Sequence, residues 1–228
     1  MITKEQKEVR PPKGINWYYY DDYTAIACGD CREILPQLEP VDLVLTDPPY
    51  GIGRDGQKAS TSSHGGRKAY AFDGWDSARP GKETFDLMFD KSSEQIIWGA
   101  NYFSDYLPPS MGWLVWDKGQ NIDSSDCELA FTSYNKALRR LVMNRVELMI
   151  EGTKHPTQKP LKLMTWCILQ ADKNSGQQIS TILDPFMGSG PSLRAAKDLG
   201  RKAIGIEISE KYAEIAAKRL RQEVLDFA

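Results

Sequence analysis

The sequence predicts an α/β domain built on a largely parallel sheet, and two observations carry that class. Short apolar runs rich in β-branched residues stop at a carboxylate or a glycine, as in residues 41–47 (VDLVLTD), 179–186 (ISTILDPF) and 202–207 (KAIGIE). Between the last two of these lie a glycine turn and a helix over 191–199 (PSLRAAKDL), which makes a strand, helix, strand unit of the parallel kind.

Taken in order, residues 1–16 form a polar leader expected to be flexible, leaving 17–228 as a single folded domain. Residues 24–27 (TAIA) read as a strand running into Gly29 and Asp30, and residues 31–38 (CREILPQL) as a short helix broken by Pro36. With the 41–47 strand they suggest a parallel βαβ unit. Residues 51–75 are polar and glycine-rich; Arg54, Lys58, Arg67 and Lys68 face only Asp55 and Asp73, with His64, Tyr70, Phe72 and Trp75 interleaved. A loop this long is usually functional or disordered. Two readings stay open, a solvated mobile loop and a lid that orders on a polyanion through phosphate contacts and stacking.

Residues 84–91 (TFDLMFDK) have helical spacing. Residues 95–98 (QIIW), 112–117 (GWLVWD) and 127–133 (CELAFTS) read as strands, the last with Glu128 placing a charge near its start, while Trp98, Trp113 and Trp116 are assigned to the core. Residues 135–154 carry Lys136, Arg139, Arg140 and Arg145 and show no clear period beyond a short helix or hairpin. This basic cluster can reach a backbone phosphate or form a solvated face. Residues 155–160 (HPTQKP) precede a helix with Leu161, Met164, Thr165 and Ile168 at helical spacing. Pro191 at the first position of the 191–199 helix and Gly200 just beyond it match the usual start and stop residues, and residues 211–224 form a final amphipathic helix.

Composition is globular, with 41% hydrophobic and 10% aromatic residues over 228 positions. No run approaches the roughly 18 apolar residues of a membrane span, and the start of the chain is too polar for a signal peptide, so a cytoplasmic protein is expected. The net charge of −2 supplies no overall positive field, and any nucleic-acid binding must use local patches. Cys28, Cys31, Cys127 and Cys167 are expected to be free thiols, and with only His64 and His155 in the chain no metal site is expected.

The chemistry concentrates at two places. The strand at 41–47 ends in Asp47, Pro48, Pro49 and Tyr50. Each proline fixes its own φ, lacks an N–H and keeps its predecessor out of the helical region. The carbonyls beside Asp47 cannot be absorbed into a helix and point outward. A carboxylate, a carbonyl and an aromatic face at a sheet edge suit the exocyclic amine of a nucleobase, whose delocalised lone pair makes it a poor nucleophile. Acceptors on its two N–H bonds favour the pyramidal nitrogen of the transition state. A positioned proton acceptor contributes about 10²–10⁴ in rate, and base stacking on an aromatic ring roughly 1–3 kcal/mol. An ordinary strand-to-loop turn would read the same way in isolation.

The second place is Gly188, Ser189 and Gly190, lying after a strand and before a helix as in nucleotide-binding turns. A dinucleotide fingerprint would continue with glycine where Leu193 stands, which argues against NAD. Glu207 ends the next strand, where it can take both hydroxyls of a ribose. Asp184 beside the turn would repel a pyrophosphate and welcome an ammonium or sulfonium. The implied ligand is a nucleoside with a cationic amino-acid tail, a description that S-adenosylmethionine fits.

DPPY at 47–50, HPTQKP at 155–160, DPFMGSG at 184–190 and GIE at 205–207 together resemble the amino-methyltransferases of DNA, in the arrangement where the catalytic motif precedes the cofactor motif. The likeness spans roughly residues 24–224 and is especially similar to small phage or prophage DNA adenine methylases. It implies a Rossmann-like methyltransferase fold with a seven-stranded, mostly parallel sheet, helices on both faces and permuted motif order, with the 184–207 unit at its centre. It also implies that Asp47, Pro48, Pro49 and Tyr50 hold a flipped base. The cofactor would be held by Asp184, Phe186, Gly188, Ser189, Gly190 and Glu207, with Asp30 at its adenine and Thr157 and Lys159 near its methionine end. Double-stranded DNA is the implied partner, contacted by Arg54, Lys58, Arg67 and Lys68 and by Arg139, Arg140 and Arg145; a homodimer is left open.

Two departures stand out. Pro191 occupies the place where the family usually has threonine, which keeps the turn but removes a hydroxyl. The segment that reads the target sequence in larger relatives is short here, at 135–154. The resemblance favours N6 of adenine over N4 of cytosine, because cytosine enzymes of the family more often carry serine where Asp47 stands. Direct transfer without a covalent enzyme intermediate is expected. RNA or protein amide modification, and a non-catalytic module binding cofactor or DNA, remain the alternatives.

Overall fold

The computed structural model describes residues 14–53, 74, 76–119, 125–144 and 158–222. Among them the apolar runs assemble into one nine-stranded sheet in the order β1-β2-β9-β8-β3-β4-β6-β5-β7. The strands are β1 Trp17–Tyr20, β2 Thr24–Cys28, β3 Leu43–Thr46, β4 Gln95–Trp98, β5 Leu114–Asp117, β6 Cys127–Thr132, β7 Arg139–Val142, β8 Thr181–Asp184 and β9 Lys202–Glu207. The helices are α1 Cys31–Ile34, α2 Lys82–Lys91, α3 Leu161–Ser175, α4 Pro191–Asp198 and α5 Glu210–Leu220, with 3₁₀ turns at Leu35–Gln37 and Ala100–Tyr102. None of these helices is long and apolar enough to cross a membrane.

Successive strand residues point to opposite faces, and the central strands are apolar on both. Leu43 and Leu45 of β3 join Ile96 and Trp98 of β4 in a core with Leu163, Met164 and Ile168 of α3, Leu193 of α4 and Ala213 of α5. Val44 and Ile97, one position out of phase, face Phe85 and Met88 of α2 with Phe103 and Phe131. Each such side chain contributes about 1.5–3 kcal/mol on burial, which is why β3 reads as a continuous apolar run and not an alternating one.

The sheet has nine strands where seven were expected. The two additional ones are edges. β1 alternates half-buried Trp17 and Tyr19 with exposed Tyr18 and Tyr20 and runs antiparallel to β2. β7 carries Arg139 and Arg140 outward and pairs parallel to β5, an edge strand in a segment whose sequence suggests a short helix or hairpin. β2 and β3, read as a parallel βαβ unit, run parallel in the one sheet with β9 and β8 between them, and the middle strand of the sheet is β3. Residues 1–13, most of the loop at 51–75, and residues 145–157 fall outside the described residues.

Candidate active site

Parallel pairing of β2, β9, β8, β3 and β4 aligns their carboxyl ends along one rim. The rim carries Asp30, Glu207, Asp184, Asp47 and Gly99, each at or just past the end of its strand. β6 runs antiparallel to β4, so its first residues, Cys127 and Glu128, reach the same rim. Ligands of open α/β sheets bind beyond the carboxyl ends where the strand order reverses, which here is between β8 and β3. A cavity of about 510 Å³ lies there. Asp30, Asp184, Phe186, Gly188, Ser189 and Glu207 line it together with Asp47, Pro49 and Lys159, so the two constellations of the sequence share one space. Pro48, Tyr50 and Gly190 stand behind that lining.

At the DPPY tip, Tyr50 donates its hydroxyl to Asp47 Oδ1 at 2.5 Å, and Lys159 Nζ lies 2.5 Å from Asp47 Oδ2 and 3.1 Å from the Tyr50 oxygen. Lys159 is only 5% exposed, and its charge also reaches Glu128 Oε2 at 3.1 Å. Burial raises the proton affinity of Asp47, and Lys159 counters it. The ammonium of Lys159, expected near the methionine end of a cofactor, is therefore directed at the Asp47 carboxylate. The ring of Tyr50 stacks on Tyr102 at 4.7 Å and 13° and meets the edge of Phe103 at 6.1 Å. Gly51 N–H donates to Asp76 Oδ1 at 2.7 Å, which fixes the chain leaving the tip.

The glycine turn is anchored from beneath. Asp184 accepts from Thr46 Oγ1 at 2.7 Å and from the Phe186 N–H at 3.1 Å, and Ser192 donates to its other oxygen. Its oxygens are thus taken by the protein, and burial pushes its pKa up to about 6. Ser192 supplies a hydroxyl at the start of α4, one position after Pro191. Gly190, at φ +76°, has a conformation that only glycine adopts freely, and a Cβ there would lie 2.9 Å from that of Ala216 in α5. Ser189 donates to Gln158 Oε1 at 2.9 Å, tying the turn to the segment before α3.

Asp30 caps α1 through the Arg32 N–H at 2.9 Å and pairs with the Arg32 guanidinium, whose hydrogen bonds lower its pKa. Glu207 accepts from the Ser209 N–H at 2.8 Å, and burial raises its pKa to about 7. Both raised values, for Glu207 and Asp184, sit above those of the unfolded chain, 4.5 and 3.8. The folded state therefore holds protons that the unfolded state has lost, and stability declines as pH rises through this window. The ligand-free melting temperature should drop by roughly 3–8 °C between pH 5 and 8, and Glu207→Gln should flatten that slope in a thermal-shift series.

Arg139 and Arg140 are exposed on edge strand β7, and Arg140 pairs with Asp117 at 3.2 Å. Arg54, Lys58, Arg67, Lys68, Arg145 and Thr157 lie outside the described residues. Several residues at the site had no role in the sequence reading. Glu128 and Lys118, 2.8 Å apart, brace Lys159. Gly99 and Tyr102 hold the Tyr50 ring, and Arg79 lines the cavity while paired to Asp105 at 2.6 Å. A lone charge at the start of an apolar strand was the one available signal for Glu128.

A family model described as DNA methylase, N6_N4_Mtase, matches residues 97–218. M2.DpnII, a type II methyltransferase of Streptococcus pneumoniae, is 49% identical, with 90% of this chain and 92% of that protein aligned. M.HinfI, a type II methyltransferase of Haemophilus influenzae, is 28% identical over 89% of this chain and 69% of that protein. Among solved structures, the M1.HpyAVI-SAM complex superposes with a TM-score of 0.57 at 22% identity, covering 87% of this chain and all of that one, a likeness of fold.

Proposed function

The chain belongs to the N6/N4 DNA methylase family, and from that membership we propose that it methylates the N6 amine of adenine at specific sites in double-stranded DNA, with S-adenosylmethionine as donor. The observation that supports this reading is the single cavity bordered by both the Asp47 tip and the acidic glycine turn. Its size lies within the range of small-molecule sites, and it is lined by the acidic residues Asp30, Asp47, Asp184 and Glu207 together with the basic residues Arg32, Arg79 and Lys159. On this reading residues 17–228 are one catalytic domain in which the catalytic motif precedes the cofactor motif.

When bound, S-adenosylmethionine supplies an electrophilic methyl group on a sulfonium. Glu207 would accept from the ribose hydroxyls, Asp30 would meet the adenine, and the backbone of Phe186, Gly188 and Ser189 would border the nucleoside. The target base must leave the stack to reach this space. The Asp47 carboxylate and the Pro48 carbonyl would then accept its two N–H bonds, replacing the Tyr50 hydroxyl that Asp47 holds in the free enzyme. Asp47 takes the proton released as the nitrogen is methylated, and the elevated proton affinity of that buried carboxylate suits the task. Pro49 and Tyr50 border the base. Arg139 and Arg140 would meet backbone phosphates, as would the basic residues of the 51–75 loop. Aspartate at position 47 is the feature that favours adenine.

Purified protein, methyl-labelled S-adenosylmethionine and mixed-sequence duplex DNA, digested to nucleosides and resolved by mass, test the proposal. Label in N6-methyladenine is the expected result. Label in N4-methylcytosine would overturn the choice of base, and no labelled nucleoside would overturn the activity.

A further inference from the structure

Lys159 faces two carboxylates, although one would satisfy its charge. Asp47 Oδ2 lies at 2.5 Å and Glu128 Oε2 at 3.1 Å, from strands on opposite sides of β4. The second oxygen of Glu128 meets Lys118 Nζ at 2.8 Å, and Lys118 lies 5.2 Å over the Trp116 ring. Charges therefore alternate along the rim in the order Lys118, Glu128, Lys159, Asp47. Glu128 and Lys118 are both absent from the cavity lining, and the ion pairs of Glu128 run to Lys118 and Lys159, so Glu128 meets the tip through the Lys159 ammonium. A second carboxylate with side-chain exposure of only 24% is costly unless paired on both sides, as this one is.

We propose that Glu128, held by Lys118, is a positioning residue: by sharing the Lys159 ammonium it limits how tightly that ammonium clamps Asp47, and so keeps Asp47 a strong acceptor for the substrate amine. The inference rests on the proposed methyl transfer for its catalytic meaning, while its electrostatics stand on the geometry alone. The groups that face Asp47 among the described residues are Lys159 ahead of α3, Glu128 on β6, the Tyr50 hydroxyl and Asp184 on β8; Cys167 of α3 faces Lys159.

Removing either outer charge should act with opposite sign. In Glu128→Gln the ammonium passes wholly to Asp47 and a neighbouring anion disappears. Both changes stabilise ionised Asp47, lower its proton affinity and weaken it as an acceptor. In Lys118→Met the uncompensated Glu128 draws Lys159 away from Asp47, and its proton affinity rises.

The test follows the Asp47 carboxyl by NMR titration of ¹³C-aspartate-labelled protein, the signal assigned with Asp47→Asn, beside single-turnover methyl transfer across pH. For Glu128→Gln the Asp47 titration and the acid limb of the rate should move down by about half to one pH unit, with the plateau rate lowered about tenfold and cofactor affinity within about threefold. For Lys118→Met both should move up. Superimposable Asp47 titrations in all three proteins, with only a lowered melting temperature in the variants, would overturn the proposal. If Glu128→Gln does not fold, the upward shift in Lys118→Met decides. If the wild type transfers no methyl group to DNA, the proposed function fails and the titration alone still decides this inference.

Discussion

Asp47→Ala is expected to abolish methyl transfer, by about 10³-fold or more given the range for a positioned proton acceptor, while cofactor affinity stays within a few-fold. The separation follows from how the rim is built. The glycine turn is organised by Asp184, which is bonded to Thr46, Ser192 and the Phe186 N–H. None of those bonds passes through Asp47. What Asp47 does support is Lys159, whose ammonium would be left with Glu128 and the Tyr50 oxygen. Breaking a buried pair from one side costs roughly 3–5 kcal/mol, and Glu128 should soften that loss.

Asp47→Asn separates chemistry from stability. It keeps the volume and one acceptor oxygen but has no charge and cannot take a proton. It should fold closer to the wild type, bind cofactor and DNA, and turn over as poorly as Asp47→Ala. Isothermal titration with cofactor and single-turnover labelling of duplex DNA would check this. More than a tenth of wild-type activity in Asp47→Asn would remove Asp47 from the role of proton acceptor.

The parts of this site that were legible in the sequence are those encoded within a few neighbouring residues. A strand that stops at Asp-Pro-Pro-Tyr, and a glycine turn set between a strand and a Pro-started helix, declare themselves locally, and the structure places Asp47 and the turn on one cavity. What was not legible depends on pairing across the chain. β2 lies beside β9, which follows it by most of the sequence, and not beside β3. β7 escaped because an edge strand needs an apolar stripe on only one side, and Arg139 and Arg140 face solvent. Lys159 reaches Asp47 over 112 residues, and no local pattern distinguishes a lysine bound for that carboxylate from one bound for a cofactor. The partners of Glu128 were hidden for the same reason.

Gly99→Ala is expected to damage both fold and activity, because Gly99 packs directly against the Tyr50 ring. β4 ends at Trp98, and the chain turns through Gly99 at φ +68° into the 3₁₀ turn Ala100–Tyr102. A Cβ at Gly99 would lie 2.0 Å from Tyr50 Cε1 and 2.5 Å from Cζ. The ring has little freedom to retreat, being stacked on Tyr102 and hydrogen-bonded to Asp47. Left-handed backbone alone costs an alanine roughly 1–2 kcal/mol. Displacing the ring adds to this, for a total of about 2–4 kcal/mol, comparable to core overpacking. Because Tyr50 carries the Asp47 hydrogen bond, methyl transfer should fall about 10²-fold, a one-ångström misplacement being enough. Gly176→Ala is the control, since Gly176 has a φ of +72° but nothing within 4 Å of its Cβ position. It should incur only the backbone strain and keep full activity. Adding Tyr50→Ala to Gly99→Ala should recover part of the stability and none of the activity, and a double-mutant cycle measures that coupling. If Gly99→Ala melts and turns over like Gly176→Ala, the ring of Tyr50 is not fixed by that glycine and the tip tolerates a repositioned tyrosine.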